Sequence, residues 1–168
     1  MAESIPAVLD IEGLYQSTYR EFLRLAYLLC GEITAAEDCV QDAFMRLADP
    51  RNKLREPRAA SAYLRACIVN RSRSAHRRKQ SARRYLPQLL QSDLPGADVE
   101  VVGASRDSAL RKAVDSLPRR QREVIVLRFW AGMGTRQVAE CLGLSEGTVK
   151  TCSHRALVAL EESMEGYL

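Results

Sequence analysis

Thr148, Lys150, Thr151, His154 and Arg155 recur at the three- and four-residue spacing that gathers side chains on one face of an α-helix. Together with Glu146 and Ser145 they form a set of short hydrogen-bonding groups and cations, and residues 147–155 contain no acid. Such a face has no nucleophile paired with a base. Its chemistry is recognition: cations meet phosphates, and short polar side chains reach base edges in a major groove. The opposite stripe, Val149, Cys152, Ala156, Leu157 and Leu160, is apolar and is expected to pack inward.

The residues just before this face say how it would be held. Thr135 is expected to cap a short helix whose Val138, Ala139 and Leu142 face inward, and Gly143 to end it in a left-handed conformation. Gly143-Leu144-Ser145 is then the turn, and Ser145 the cap of the following helix. That is the pattern of a helix-turn-helix, with DNA as the first candidate partner. An ordinary helical bundle would show the same caps and stripes, but a structural surface helix usually mixes Glu with Lys at i,i+4, whereas residues 147–155 carry Lys150, His154 and Arg155 with no acid among them.

Charge is strongly divided along the 168 residues. Residues 1–50 carry a net charge of −6, residues 51–85 one of +11, residues 86–103 one of −3 and residues 104–168 one of +2. Opposite-sign surfaces of this kind suit a chain that holds a basic protein and a nucleic acid at once.

Helical periodicity organises the first half. Leu14, Tyr15, Phe22, Leu25, Ala26, Leu28 and Leu29 predict one inward stripe, closed by Gly31. Thr34 and Glu37 match a capping box for a second helix, with Cys39, Val40, Ala43, Phe44 and Leu47 inside and Glu37, Asp38, Gln41 and Asp42 outside. A third helix carries Ala60, Tyr63, Leu64, Cys67 and Ile68 inward. Beyond Ile68 its stripe fades into RSRSAHRRKQSARR, a run too basic to pack against anything but an anion. A solvated helix end would also tolerate that run. The segment 86–103 reads as a linker, helix resumes from Ser105 to Ser116, and Val124, Ile125, Leu127 and Phe129 follow Pro118. The only strand-like run is VEVV. The fold class is therefore all-α: an N-terminal helical bundle and a C-terminal helix-turn-helix bundle joined by a flexible linker.

Other chemistries find little support. The five cysteines include no CxxC pair and read as small core residues of a reducing compartment. Cys152 and His154, at i,i+2, point to different sides of a helix, so no metal set is expected. A phosphate-binding glycine loop and a catalytic triad are both missing, and neither catalytic residue nor cofactor is expected. No apolar run is long enough to span a bilayer, so the expected location is the cytoplasm. The lone Trp130 is expected to pack within the C-terminal bundle.

The stretches LYQSTYREFLRLAYLLCGEITAAEDCVQDAFMRL, AYLRACIVNRSRSAHRR and LPRRQREVIVLRFWAGMGTRQVAECLGLSEGTVKTCSHRALVAL, in that order, resemble the extracytoplasmic-function group of bacterial RNA polymerase sigma factors over essentially the whole chain. The resemblance implies a region 2 over 1–85, a linker over 86–103 and a region 4 over 104–168. It implies a factor that binds core RNA polymerase, through the clamp coiled coil and the flap, and directs initiation at promoter DNA.

By resemblance, Glu37, Asp38, Gln41 and Asp42 face the polymerase clamp. Arg55, Glu56, Asn70, Arg71, Arg73, Ser74, Arg77 and Arg78 serve the minus-ten element. Ser145, Glu146, Thr148, Lys150, Thr151, His154 and Arg155 form the recognition helix for the minus-thirty-five element, with Arg136, Arg119, Arg120 and Arg122 on phosphates. Cys152-Ser153-His154 departs from the family's usual run, so base preference does not carry over. Between Leu47 and Phe129 the aromatics are Tyr63 and Tyr85 alone, which implies weak promoter melting. An anti-sigma protein, common in the family, would have to cover the basic third helix or the recognition helix; the free factor is expected to be a monomer. The competing readings are a dimeric repressor, which would read half-sites one helical turn apart, and an enzyme.

Overall fold

The computed structural model describes residues 9–54, 56–85 and 106–165, with the backbone alone for 76, 78–85, 106 and 107. The expected linker 86–103, the VEVV run and Arg55 lie outside the described residues, as does the side chain of Arg78. Among the described residues every regular element is helical.

Helix α1 (Ile11–Cys30) begins where the Asp10 carboxylate accepts the Gly13 N–H at 2.9 Å. It ends at Gly31, whose N–H still bonds the Tyr27 carbonyl at 2.8 Å and whose φ of 73° turns the following chain out of the helix. Phe22, Leu25, Ala26 and Leu29 are buried, whereas Tyr15, expected inside, is 40% exposed and stacks edge-on against Phe44 with ring centres 4.9 Å apart. Helix α2 (Ile33–Leu47) buries Cys39, Val40, Ala43, Phe44 and Leu47, as its pattern predicts, and Ala36 besides. Its start differs from expectation: Glu32 occupies the cap position and Thr34 already lies in the first turn, so the Thr34–Glu37 capping box does not form.

Helix α3 (Pro57–Tyr85) packs Ala60, Leu64 and Ile68 onto α1 and α2. The inward face does not stop there, because Val69 and Ser72 are also buried. Two thiols at the α1–α2 junction approach closely, Cys30 Sγ and Cys39 Sγ lying 3.7 Å apart. Their hydrogen bond pushes the Cys30 thiol up and holds the Cys39 thiol down.

The C-terminal part comprises α4 (Arg106–Ser116), α5 (Arg119–Ile125), α6 (Thr135–Leu142) and α7 (Glu146–Met164). Between α5 and α6 the chain makes a widened π turn over Val126–Trp130, with the Ala131 N–H bonded to the Val126 carbonyl at 3.1 Å. One residue more per turn rotates the end of this segment out of the α-helical stripe. Val124, Ile125, Val126 and Leu127 are buried, but Phe129 is 56% exposed, and Trp130, expected to pack within the C-terminal bundle, is 42% exposed. On α7, Val149, Ser153 and Ala156 face inward while Leu157, expected in the apolar stripe, is 46% exposed.

The two parts share one core. Val114, Val124, Val126, Leu127, Val138, Ala139, Leu142 and Val149 belong to the same buried cluster as Phe22, Val40 and Leu64. The joint is made by α1 against α4 and the π turn and by α3 against α6. At its edge the Arg111 guanidinium lies 5.6 Å from the Tyr27 ring centre and donates to the Tyr27 hydroxyl.

Candidate nucleic-acid interface

The helix-turn-helix is built as its residues demand, with one exchange of roles. Gly143 ends α6 at φ 64°, and the Ser145 hydroxyl accepts the Thr148 N–H at 3.1 Å to open α7. The cap position of α6, however, is Gly134 rather than Thr135: the Gln137 side chain reaches back to accept the Gly134 N–H at 2.9 Å, which leaves Thr135 as the first helical residue.

On α7, Ser145, Glu146, Thr148, Lys150, Thr151, His154 and Arg155 are all exposed. Two of the hydroxyls have local work. Thr148 Oγ1 pairs with Ser145 Oγ at 2.8 Å, and Thr151 Oγ1 donates to the Gly147 carbonyl at 3.0 Å. Lys150, His154 and Arg155 hold no ion pair among the described residues, and with Thr151 they line an open concavity of about 340 Å³. Arg136, on α6, is exposed but lies 3.0 Å from Glu140. Lys150 and Arg155, uncommitted cations on an exposed helix, are what a phosphate backbone attracts.

On α2, Glu37, Asp38 and Gln41 are exposed along one face. Asp42 is half-buried and partly committed, 3.0 Å from Arg46 and 3.9 Å from Arg71. The acidic face thus borders the basic helix, and one of its carboxylates already touches it.

The residues expected on the path of the minus-ten element divide into two sets. Glu56 and Asn70 are exposed, Ser74 Oγ donates to the Asn70 carbonyl at 3.3 Å, and Arg77 lies 3.4 Å from Ser74 Oγ, on the outer side of α3. Arg73 is different. Its guanidinium is turned to the joint, donating through Nε at 2.8 Å and Nη2 at 2.9 Å to the two carboxylate oxygens of Glu123 on α5. The Glu123 side chain is only 4% exposed, and its paired hydrogen bonds push the Arg73 guanidinium further up from its ordinary range.

Helical periodicity and motif spacing do not mark Glu123 as a functional residue. A signal exists in composition: in LPRRQREVIVLR it is the one acid among four arginines. The three of those arginines expected on phosphates have partners inside the protein. Arg119 and Arg120 lie 3.8 Å from Glu123, and Arg122 donates to the carbonyls of Asp115 and Leu117.

Comparison with known proteins gives the arrangement its family. Residues 14–89 match the family described as Sigma-70 region 2 and residues 107–160 that described as Sigma-70, region 4. The RNA polymerase sigma-E factor of Streptomyces avermitilis is 34% identical over 160 residues, which span 94% of this chain and 87% of that protein. The ECF RNA polymerase sigma factor SigM of Mycobacterium tuberculosis is 30% identical over 157 residues, 94% of this chain and 78% of its own length. In fold, the chain is similar to the sigma factor RpoE of Bartonella quintana, solved with the anti-sigma factor NepR, with a TM-score of 0.79 at 22% identity, covering 96% of this chain and all of that one. The chain belongs to the extracytoplasmic-function group of the sigma-70 family, alternative RNA polymerase subunits that direct promoter-specific initiation of transcription.

Proposed function

We propose that this factor grips the polymerase clamp through Glu37, Asp38, Gln41 and Asp42 and reads two promoter elements with surfaces behind that grip. Region 2, over 1–85, takes the minus-ten element along Glu56, Asn70, Arg71, Ser74 and Arg77, with Arg55, Arg73 and Arg78 completing the path. Region 4, over 104–168, reads the minus-thirty-five element as duplex with α7 and docks on the polymerase flap. Segment 86–103 joins them.

The observation that carries this reading is the outer face of α7, where Lys150, His154 and Arg155 stand exposed, with no ion-pair partner among the described residues. These three gather with Thr151 around one concavity, which supports an anionic ligand there. The factor performs no chemistry of its own and works in the cytoplasm, where core polymerase and chromosome are. An anti-sigma protein is the expected regulator, on the third helix or the recognition helix.

The experiment is reconstitution: the purified chain is mixed with core RNA polymerase and templates carrying candidate promoters. Promoter-specific run-off transcripts are expected. Tight binding of the chain alone to palindromic duplex, with no transcript in the presence of polymerase, would overturn the proposal in favour of a dimeric repressor.

A further inference from the structure

Cys30 is the last residue of α1 and Cys39 lies in the second turn of α2, with their sulfurs 3.7 Å apart across the junction. Gly31 and Glu32 alone connect the two helices, and Gly31 turns the chain with its φ of 73°. The other three cysteines, Cys67, Cys141 and Cys152, face no second thiol among the described residues. We infer that Cys30 and Cys39 are a site of reversible disulfide formation, oxidised by hydroperoxides, and that the bond loosens the factor's grip on core polymerase. The second half of this inference rests on the clamp assignment of α2 made above.

The geometry suits the bond. A disulfide needs about 2.05 Å between its sulfurs, so closure asks for a movement of about 1.7 Å. Cys30 can supply it, because the last carbonyls of a helix have no partner within the helix to hold them. Access is divided between the pair: Cys39 is 1% exposed, whereas Cys30 is half-buried and opens the site to a small oxidant. The hydrogen bond shared with Cys30, and behind it the Arg71 guanidinium, hold the Cys39 thiol down against its burial, which favours the thiolate that this chemistry uses. In reducing compartments disulfides are mostly of this transient, sensing kind.

The reaction balances with a hydroperoxide as oxidant. One sulfur attacks the outer peroxide oxygen, the O–O bond breaks, and a sulfenic acid forms as an alcohol departs, or water in the case of hydrogen peroxide. The second sulfur then displaces water from the sulfenic acid and the S–S bond closes. Two thiols lose two electrons to the peroxide, and their protons end in the two departing molecules. A dithiol reverses the step by exchange.

The consequence follows from where Cys39 sits. It comes directly after Asp38 and shortly before Gln41 and Asp42, so a displacement at its sulfur is passed through a close-packed core to the proposed clamp face. Charge acts in the same direction. A disulfide bears none, so Arg71 loses its attraction to Cys39 and is left to Asp42, 3.9 Å away, a carboxylate proposed for the clamp.

The test uses the full chain, reduced with dithiothreitol, freed of it, and treated with hydrogen peroxide. Peptide mapping without reductant should show Cys30 joined to Cys39, with the other three cysteines still thiols. The oxidised chain should bind core polymerase about fivefold or more weakly than the reduced chain, and dithiothreitol should restore it. Cys30→Ser should form no bond and keep the reduced chain's affinity before and after peroxide; Cys39→Ala provides a second variant blocked at the other sulfur.

Persistence of all the thiols, a disulfide involving other cysteines or two chains, or equal polymerase affinity of the reduced and oxidised forms would overturn the inference. Binding of the reduced chain to core polymerase tests the proposed function by itself. Failure there removes the clamp reading and the regulation built on it, while the peptide map decides the bond independently.

Discussion

Ser145 starts α7 and sits at the edge of the face proposed to read DNA, so one hydroxyl serves folding and recognition together. Its Oγ accepts the Thr148 N–H at 3.1 Å, and Ser145→Ala should lower stability by about 0.5–2 kcal/mol, measured as a shift of the urea midpoint at constant slope. Lys150 has no such duty. Lys150→Ala should leave the melt unchanged and weaken binding to the minus-thirty-five duplex by about 1–3 kcal/mol if it reads a base, with relaxed preference at one position. A loss equal across all sequences would assign it to phosphate instead. Ser145 and Gly143 are legible from type and spacing because a cap and a left-handed residue are local requirements. Thr135 misleads for the same reason: the competing solution uses Gln137, whose longer side chain returns to the preceding turn.

At the scale of elements, α2 shows how far a pattern reaches. Its buried set holds all five residues that helical spacing predicts, with Ala36 added, and Glu37 and Asp38 are left exposed without an ion pair among the described residues. Reversing both, Glu37→Lys with Asp38→Lys, should abolish co-elution with core polymerase and leave the circular dichroism spectrum intact. Retained co-elution would remove the clamp assignment. The same periodicity fails at Val126–Trp130. A period of 3.6 carries Phe129 to the inner face, but the π turn takes up an extra residue, and Phe129 and Trp130 emerge on the surface. The basic run of α3 demands an anion on charge alone. For Arg73 the structure supplies one from within, on an element 50 residues away.

Across the whole molecule, the joint between the halves is not legible from the sequence at all. Periodicity tells which face of a helix turns inward and says nothing of which inward faces meet, so it predicts two bundles where one buried cluster runs through both. A shared core implies shared unfolding. Fluorescence of Trp130, the single tryptophan and part of the C-terminal half, should therefore melt together with the helical signal of the entire chain. In Glu123→Gln the two transitions should separate by several degrees, because about 1–3 kcal/mol of coupling is lost at the joint. Coincident melting in both proteins would place the coupling in the apolar contacts instead.

As proposed, an acidic face seats this chain on polymerase and two cationic surfaces reach separate promoter elements. Footprinting on a promoter, with and without core polymerase, tests that division of labour most directly. Two protected patches, one at each element, should appear together only when polymerase is present. A single symmetric patch formed by the chain alone, unaltered by polymerase, would contradict it.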